Sequence, residues 1–171
     1  MTLPRTFLPA GTLTIGANYW ASHAGPRMWR DWDAEVVARD FAQLSAAGIH
    51  TLRVFPLWPD FQPITALRGG GGSFVEVRFG EEPLPTEGPG KNGVSPEMVR
   101  RFGIMADLAA ANKIDLIVGL VTGWMSGRLF VPPALDGLNP ITDPLSILWQ
   151  VRLIKTLVGE FKNHPAIAAW D

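Results

Sequence analysis

Arg53 sits between Leu52 and Val54 in the apolar run "IHTLRVFPLW" (49–58). Side chains alternate across an extended strand, so its guanidinium shares the face opposite to those two neighbours. A cation on an inward face requires a carboxylate partner, because desolvating it alone is costly. The competing reading is an ion pair at a solvent-exposed strand end. Trp20, Trp58 and Trp124 each close a segment that reads as a strand. Indole faces stack on the C–H faces of sugar rings, and three indoles at equivalent positions favour that use over rim packing between loops.

Other chemistries find less support. His23, His50 and His164 are too scattered for a metal set, and no H-E-x-x-H occurs. Only His23, in the loop after the first strand, is placed to reach a ligand; structural or solvated roles suit the other two. Ser22, Ser73 and Ser126 lack a nucleophile-elbow context. The first strand–helix turn, "GANYWASHAGPRMW", holds no G-x-G-x-x-G, and no G-x-x-x-x-G-K-[ST] appears elsewhere. A phosphate-cradling loop is therefore not expected, and no cofactor is implied.

The elements that position these residues follow from periodicity. Strands are predicted at about 12–20, 49–57, 114–122 and 166–171, the third a nearly continuous apolar run "IDLIVGLVTGW". Helices are predicted between them. The first has Asp33 as N-cap, Val37, Phe41 and Leu44 on one face and Gly48 at its end. The second opens on Ser95, Pro96 and Glu97, and the third on Asp143–Pro144 with Ile147, Val151, Ile154, Val158 and Phe161 as its apolar stripe. Residues 59–94 break the rhythm with "RGGGG" and "EEPLPTEGPGKNG". Loops beyond about 12–15 residues are usually functional or disordered, so a functional flap with a small hairpin is preferred to a floppy insertion.

The order β-α-β-α-β-α-β implies an α/β fold with a parallel sheet. Without a nucleotide fingerprint, and with aromatic-rich loops after the strands, the first half of a (β/α)8 barrel is favoured over a doubly wound sheet. At 171 residues, 47% hydrophobic and 18% charged, the chain can bury a core. A net charge of -1 offers no basic surplus for nucleic acid or an anionic membrane. The absence of cysteine excludes disulfides and thiolate metal sites. "MTLPRTFLPAGTLTIG" has no continuous apolar stretch of signal-peptide length, and no run approaches the roughly 20 residues of a membrane helix. A cytoplasmic location is expected, with secretion by another route left open.

"IGANYW", "AAGIHTLRVF", "LIVGLVTGW" and "FKNHPAIAAWD" together resemble the first four strands of a clan A glycoside hydrolase barrel, the family 5 cellulases and β-mannanases with the related β-galactosidases and β-mannosidases. The resemblance spans essentially the whole chain as one catalytic barrel portion. It implies that Arg53 points up into the active site and that its carboxylate partner is the nucleophile. It further implies that the fourth strand continues into an Asn-Glu pair, whose Glu is the acid/base, with the nucleophilic Glu on the seventh strand. The sequence reaches Asp171 before any such pair. Neither catalytic carboxylate is therefore expected within it, Asp171 included, and the chain alone should be inactive.

The resemblance implies a retaining β-glycosidase acting on a β-linked glucan or mannan type saccharide. Trp20, Trp58, Trp124 and His23 are then candidate substrate contacts, and residues 59–94 would wall one side of the cleft. A half-barrel leaves open strand edges, so its partner is expected to be the missing C-terminal half, or a second copy in its absence. Two alternatives stay open: a non-catalytic carbohydrate-binding or self-associating module, and a barrel enzyme of unrelated chemistry.

Overall fold

The computed structural model describes residues 10–171. They cluster into two compact units. One comprises residues up to Phe55, Ile104–Gly119 and Asn163–Asp171; the other comprises Pro56–Gly103 and Leu120–Lys162.

The first unit is built on four parallel strands: β1 (Ala17–Asn18), β2 (Thr51–Val54), β6 (Asp115–Val118) and β9 (Ile167–Trp170), in the order β1-β2-β6-β9. Strands consecutive in this sheet are separated in the chain by α1 (Ala34–Ala46), α3 (Pro96–Ala111) and α4 (Pro144–Phe161). This is the start of a (β/α)8 barrel, as the sequence order predicts. Leu52 and Val54 of β2 and Leu116 and Val118 of β6 are at most 1% exposed. They form the buried side of the sheet, and Val37, Phe41, Met105, Ala106 and Ala109 add fully buried surface from α1 and α3. Burial of each large apolar side chain here stabilises the unit by roughly 1.5–3 kcal/mol.

The first strand is shorter than the sequence suggests. Residues 12–16 carry no strand pairing, and only Ala17 and Asn18 pair, with Leu52 and Arg53. Gly16 lies so close to β2 that a Cβ would stand 2.8 Å from the Thr51 carbonyl oxygen, so a larger residue there would push the strands apart. Leu13 and Ile15, 90% and 66% exposed, gain nothing from alternation without a surface to cover them.

The helix starts are local chemistry and follow the sequence closely. Asp33 accepts from the amides of Glu35 and Val36, and Asp143 accepts from those of Leu145 and Ser146. At the start of α3, hydrogen bonds from Arg100 and Arg101 lower the Glu97 carboxyl to about 2.

The second unit holds a short α2 (Trp58–Phe61) and an antiparallel sheet of β3 (Thr65–Arg68), β4 (Phe74–Phe79) and β5 (Glu82–Pro83). Gly69–Gly72 form the turn between β3 and β4, with the Gly69 amide donating to Ser73 O. A second hairpin joins β7 (Trp124–Met125) to β8 (Arg128–Leu129). Gln62, fully buried, ties this unit together: it accepts from Trp58 Nε1 at 2.7 Å and donates to the carbonyls of Asn92 and Trp149.

Helix α4 buries a different face from the predicted stripe. Ser146, Trp149, Leu153, Thr156 and Leu157 are buried, whereas Ile147 and Val151 are 42% and 38% exposed. The large indole of Trp149 outweighs two aliphatic side chains in buried area. Gly93, at φ +68°, makes room for it, since a Cβ there would lie 2.8 Å from the Trp149 ring. The choice leaves Ser146 Oγ and Trp149 Nε1 without a hydrogen-bond partner among the described residues, a cost that the burial offsets.

Candidate active site

Three strands of the first unit bring their chemistry to one surface. Register pairs Arg53 with Ile117 and Ile117 with Ala169, so these side chains share the face opposite to buried Leu52 and Val54. A groove of about 300 Å³ runs there, lined by Gly16, Ala17, Asn18, Thr51, Arg53 and Ile117. Asp171 follows β9, and its amide donates to the Val118 carbonyl at 2.9 Å, extending the ladder. Its carboxylate forms an ion pair with Arg53 Nη2. The two side chains are 43% and 49% exposed, so water weakens their attraction and leaves the guanidinium accessible. The carboxylate that β2 demands is thus supplied across β6 by the end of the fourth strand.

Arg53 also lies over the Phe55 ring, 4.8 Å from its centroid, and Trp20 stacks on Phe55 at 5.1 Å and 18°. Phe55 is in turn fixed from behind: its carbonyl accepts from the Trp29 indole at 2.8 Å, and Trp29 stacks on Trp32 at 5.8 Å. Trp29, 0% exposed, and Trp32, half-buried against it, are packing residues. Trp20 remains half-buried, supported by Phe55.

Asp40 was not legible as a functional position. It is buried on α1, yet both carboxylate oxygens are engaged by the loop that follows β1. Oδ2 accepts from the Tyr19 hydroxyl at 3.0 Å and the Ser22 amide at 2.9 Å, and Oδ1 accepts from the Ser22 hydroxyl at 2.8 Å. Burial, then the neighbouring charge of Asp40 and the hydrogen bond to it, push the Tyr19 phenol well above its ordinary value. The available signal was a carboxylate placed inside the apolar stripe of Val36, Val37, Phe41 and Leu44.

The remaining predicted residues divide. His23 is exposed and its Nε2 lies 2.7 Å from the Asp31 carbonyl oxygen, within its own loop. His50 is exposed just before β2, and His164 pairs with Asp107 at 3.1 Å. Trp58 and Trp124 belong to the second unit. Trp58 is 0% exposed and committed to Gln62, so the sugar-stacking expectation for it is corrected to core packing. Trp58 is the first residue of α2, with Pro59 in the same first turn, and Phe61 of that helix is buried as well. Trp124 is the reverse case: it is 69% exposed at the start of the β7–β8 hairpin. Ser126 and Gly127 at φ 51° and 74° close that hairpin, and Val121 before it adopts φ 48°, a strained value for a β-branched residue. Among the described residues no three His, Asp or Glu side chains cluster as a metal site would.

No protein-family model matches the chain, and no curated protein does. Solved structures do match. GH5_18 from Streptomyces cattleya, in complex with Manβ1-4GlcNAc, superposes with a TM-score of 0.71 at 25% identity, over 91% of this chain and 32% of that one. An exo-β-1,4-mannosidase from Opitutaceae bacterium strain TAV5 superposes at 0.67 and 27% identity, over 94% of this chain and 25% of that one. The chain has the fold of family 5 glycoside hydrolases. GH5_18 from Bifidobacterium longum subsp. longum matches equally, at 0.71 and 25% identity. This chain spans about a third of the GH5_18 chains and a quarter of the mannosidase. The four-stranded sheet carrying Arg53 accordingly has the fold of the start of a family 5 barrel, as the resemblance of "AAGIHTLRVF" and "HPAIAAWD" to that family implies.

Proposed function

We propose that the chain is part of a retaining β-glycosidase that acts on β-1,4-linked mannosides. The observation that carries this reading is Arg53: a guanidinium on the accessible face of the second strand, ion-paired yet half exposed, beside the Trp20–Phe55 stack. The mannoside preference comes from the neighbours, one bound to Manβ1-4GlcNAc and one an exo-β-1,4-mannosidase.

Retaining hydrolysis needs two carboxyl groups about 5–5.5 Å apart, one protonating the leaving oxygen and one attacking the anomeric carbon. In this reading both are glutamates of the complete protein that follow Asp171. Arg53 holds the nucleophile ionised and oriented, because an adjacent cation favours the carboxylate over the acid. Asp171 keeps the guanidinium aimed in the meantime. Trp20 presents its ring to a pyranose.

The test is hydrolysis of aryl β-mannoside and aryl β-glucoside by the complete protein and by the 171-residue chain. Turnover of the mannoside by the complete protein alone supports the reading. Preference for the glucoside overturns the substrate assignment, and turnover by the isolated chain overturns the placement of the carboxylates.

A further inference from the structure

We propose that Asp40 is a positioning residue for the sugar platform: it clamps the loop after β1 so that Trp20 is presented on Phe55. The inference rests on the reading of Trp20 as a substrate contact.

Asp40 belongs to α1, whereas Trp20 lies in the loop after β1, and Asp40 is 9% exposed. A carboxylate in that position needs compensation, and among the described residues it comes from those that bracket Trp20. Tyr19 donates from one side of the indole, and Ser22 donates twice from the other. Ala21 between them is 1% exposed, so the segment is anchored at 19, 21 and 22. Tyr19 is held further by an edge contact with Phe41 at 4.9 Å, one residue along α1 from Asp40. Between buried Tyr19 and Ala21, Trp20 is half exposed, and its plane is set by Phe55 on one face. Tyr19, Trp20, Ser22 and Asp40 also line one cleft of about 350 Å³, together with Leu52. Pinning the two flanking residues removes the loop freedom that binding would otherwise have to freeze, which is preorganisation of a stacking surface.

The experiment is a double-mutant cycle in the complete protein with a short β-1,4-mannoside, alongside thermal melts. Trp20→Ala is expected to raise KM about tenfold with a smaller change in kcat, the loss of one stacking contact. Asp40→Ala is expected to raise KM about three- to tenfold, and Ser22→Ala less, as one or more hydrogen bonds are lost. In the Trp20→Ala background, Asp40→Ala should add nothing to KM. A purely structural Asp40 would lower the melting temperature and leave KM unmoved, or would add in full to Trp20→Ala; either result overturns the proposal. Should Asp40→Ala fail to fold, Ser22→Ala and Tyr19→Phe carry the same comparison. If Trp20→Ala itself leaves KM unchanged, the platform reading fails, and the role given to Asp40 falls with it.

Discussion

Arg53 on β2 and Asp171 after β9 form an ion pair that crosses the intervening strand β6 on the accessible face of the sheet. Strands two apart in the ladder are joined only because register places Arg53, Ile117 and Ala169 in one row, with Asp171 two residues further along its chain. Half-exposed pairs contribute about 1 kcal/mol or less, so the conformation, more than the stability, is what this contact determines.

Arg53→Ala in the complete protein should lower kcat about 100-fold, the scale of removing one preorganised electrostatic contact. Stability in urea should fall by no more than about 1 kcal/mol. Unaltered turnover with a marked loss of stability would make the pair a structural ion bridge only.

The tryptophans should separate by phenotype. Trp58→Ala removes a fully buried indole and strands the Gln62 side chain, so a loss of about 3–5 kcal/mol is expected from denaturant melts. Trp124→Ala, at an exposed hairpin, should change stability by no more than about 0.5 kcal/mol. Equal losses at both positions would refute the assignment of Trp58 to the core and Trp124 to the surface.

Tyr19 is the single tyrosine of the chain, so phenolate absorbance near 295 nm reports on it alone. Its folded pKa is raised, chiefly by burial and next by Asp40. The unfolded phenol ionises near pH 10, so stability from keeping Tyr19 protonated is complete below that pH and declines as pH rises beyond it. Phenolate should therefore appear together with unfolding. Asp40→Asn should move ionisation towards the ordinary value without reaching it, since burial persists. A free phenolate signal near pH 10 in the folded protein would contradict the Asp40–Tyr19 geometry.

Val121 at φ 48° stores strain of about 1–3 kcal/mol. Val121→Gly releases it but admits more freedom to the unfolded chain, at about 0.5–1 kcal/mol. The variant should be neutral or slightly more stable by denaturant midpoint. A loss above about 1 kcal/mol would show that the side chain matters more than the backbone.

The helix starts at Asp33, Ser95 and Asp143, the parallel strand order and the place of Arg53 on its strand were all legible in the amino-acid sequence. Each depends on interactions within a few residues: a cap oxygen meeting the first free amides, alternation along a strand, a proline at the first helical turn. The family 5 likeness was legible for the same reason, being carried by short contiguous runs. What could not be read was which of several similar surfaces each element would bury. Trp20, Trp58 and Trp124 look alike in sequence, each at the close of an apolar run, yet one is half-buried, one fully buried and one exposed. Helix α4 has two apolar faces, and the partner at Gly93 selected the one with Trp149. Asp40 resembled a flaw in an apolar stripe until Tyr19 and Ser22, about 20 residues away, were seen to meet it. Sequence determines where hydrogen-bonding and apolar groups fall along each element, because those periods are local. Only the tertiary structure decides which groups meet, because burial and ion pairing depend on distances that the chain closes through space.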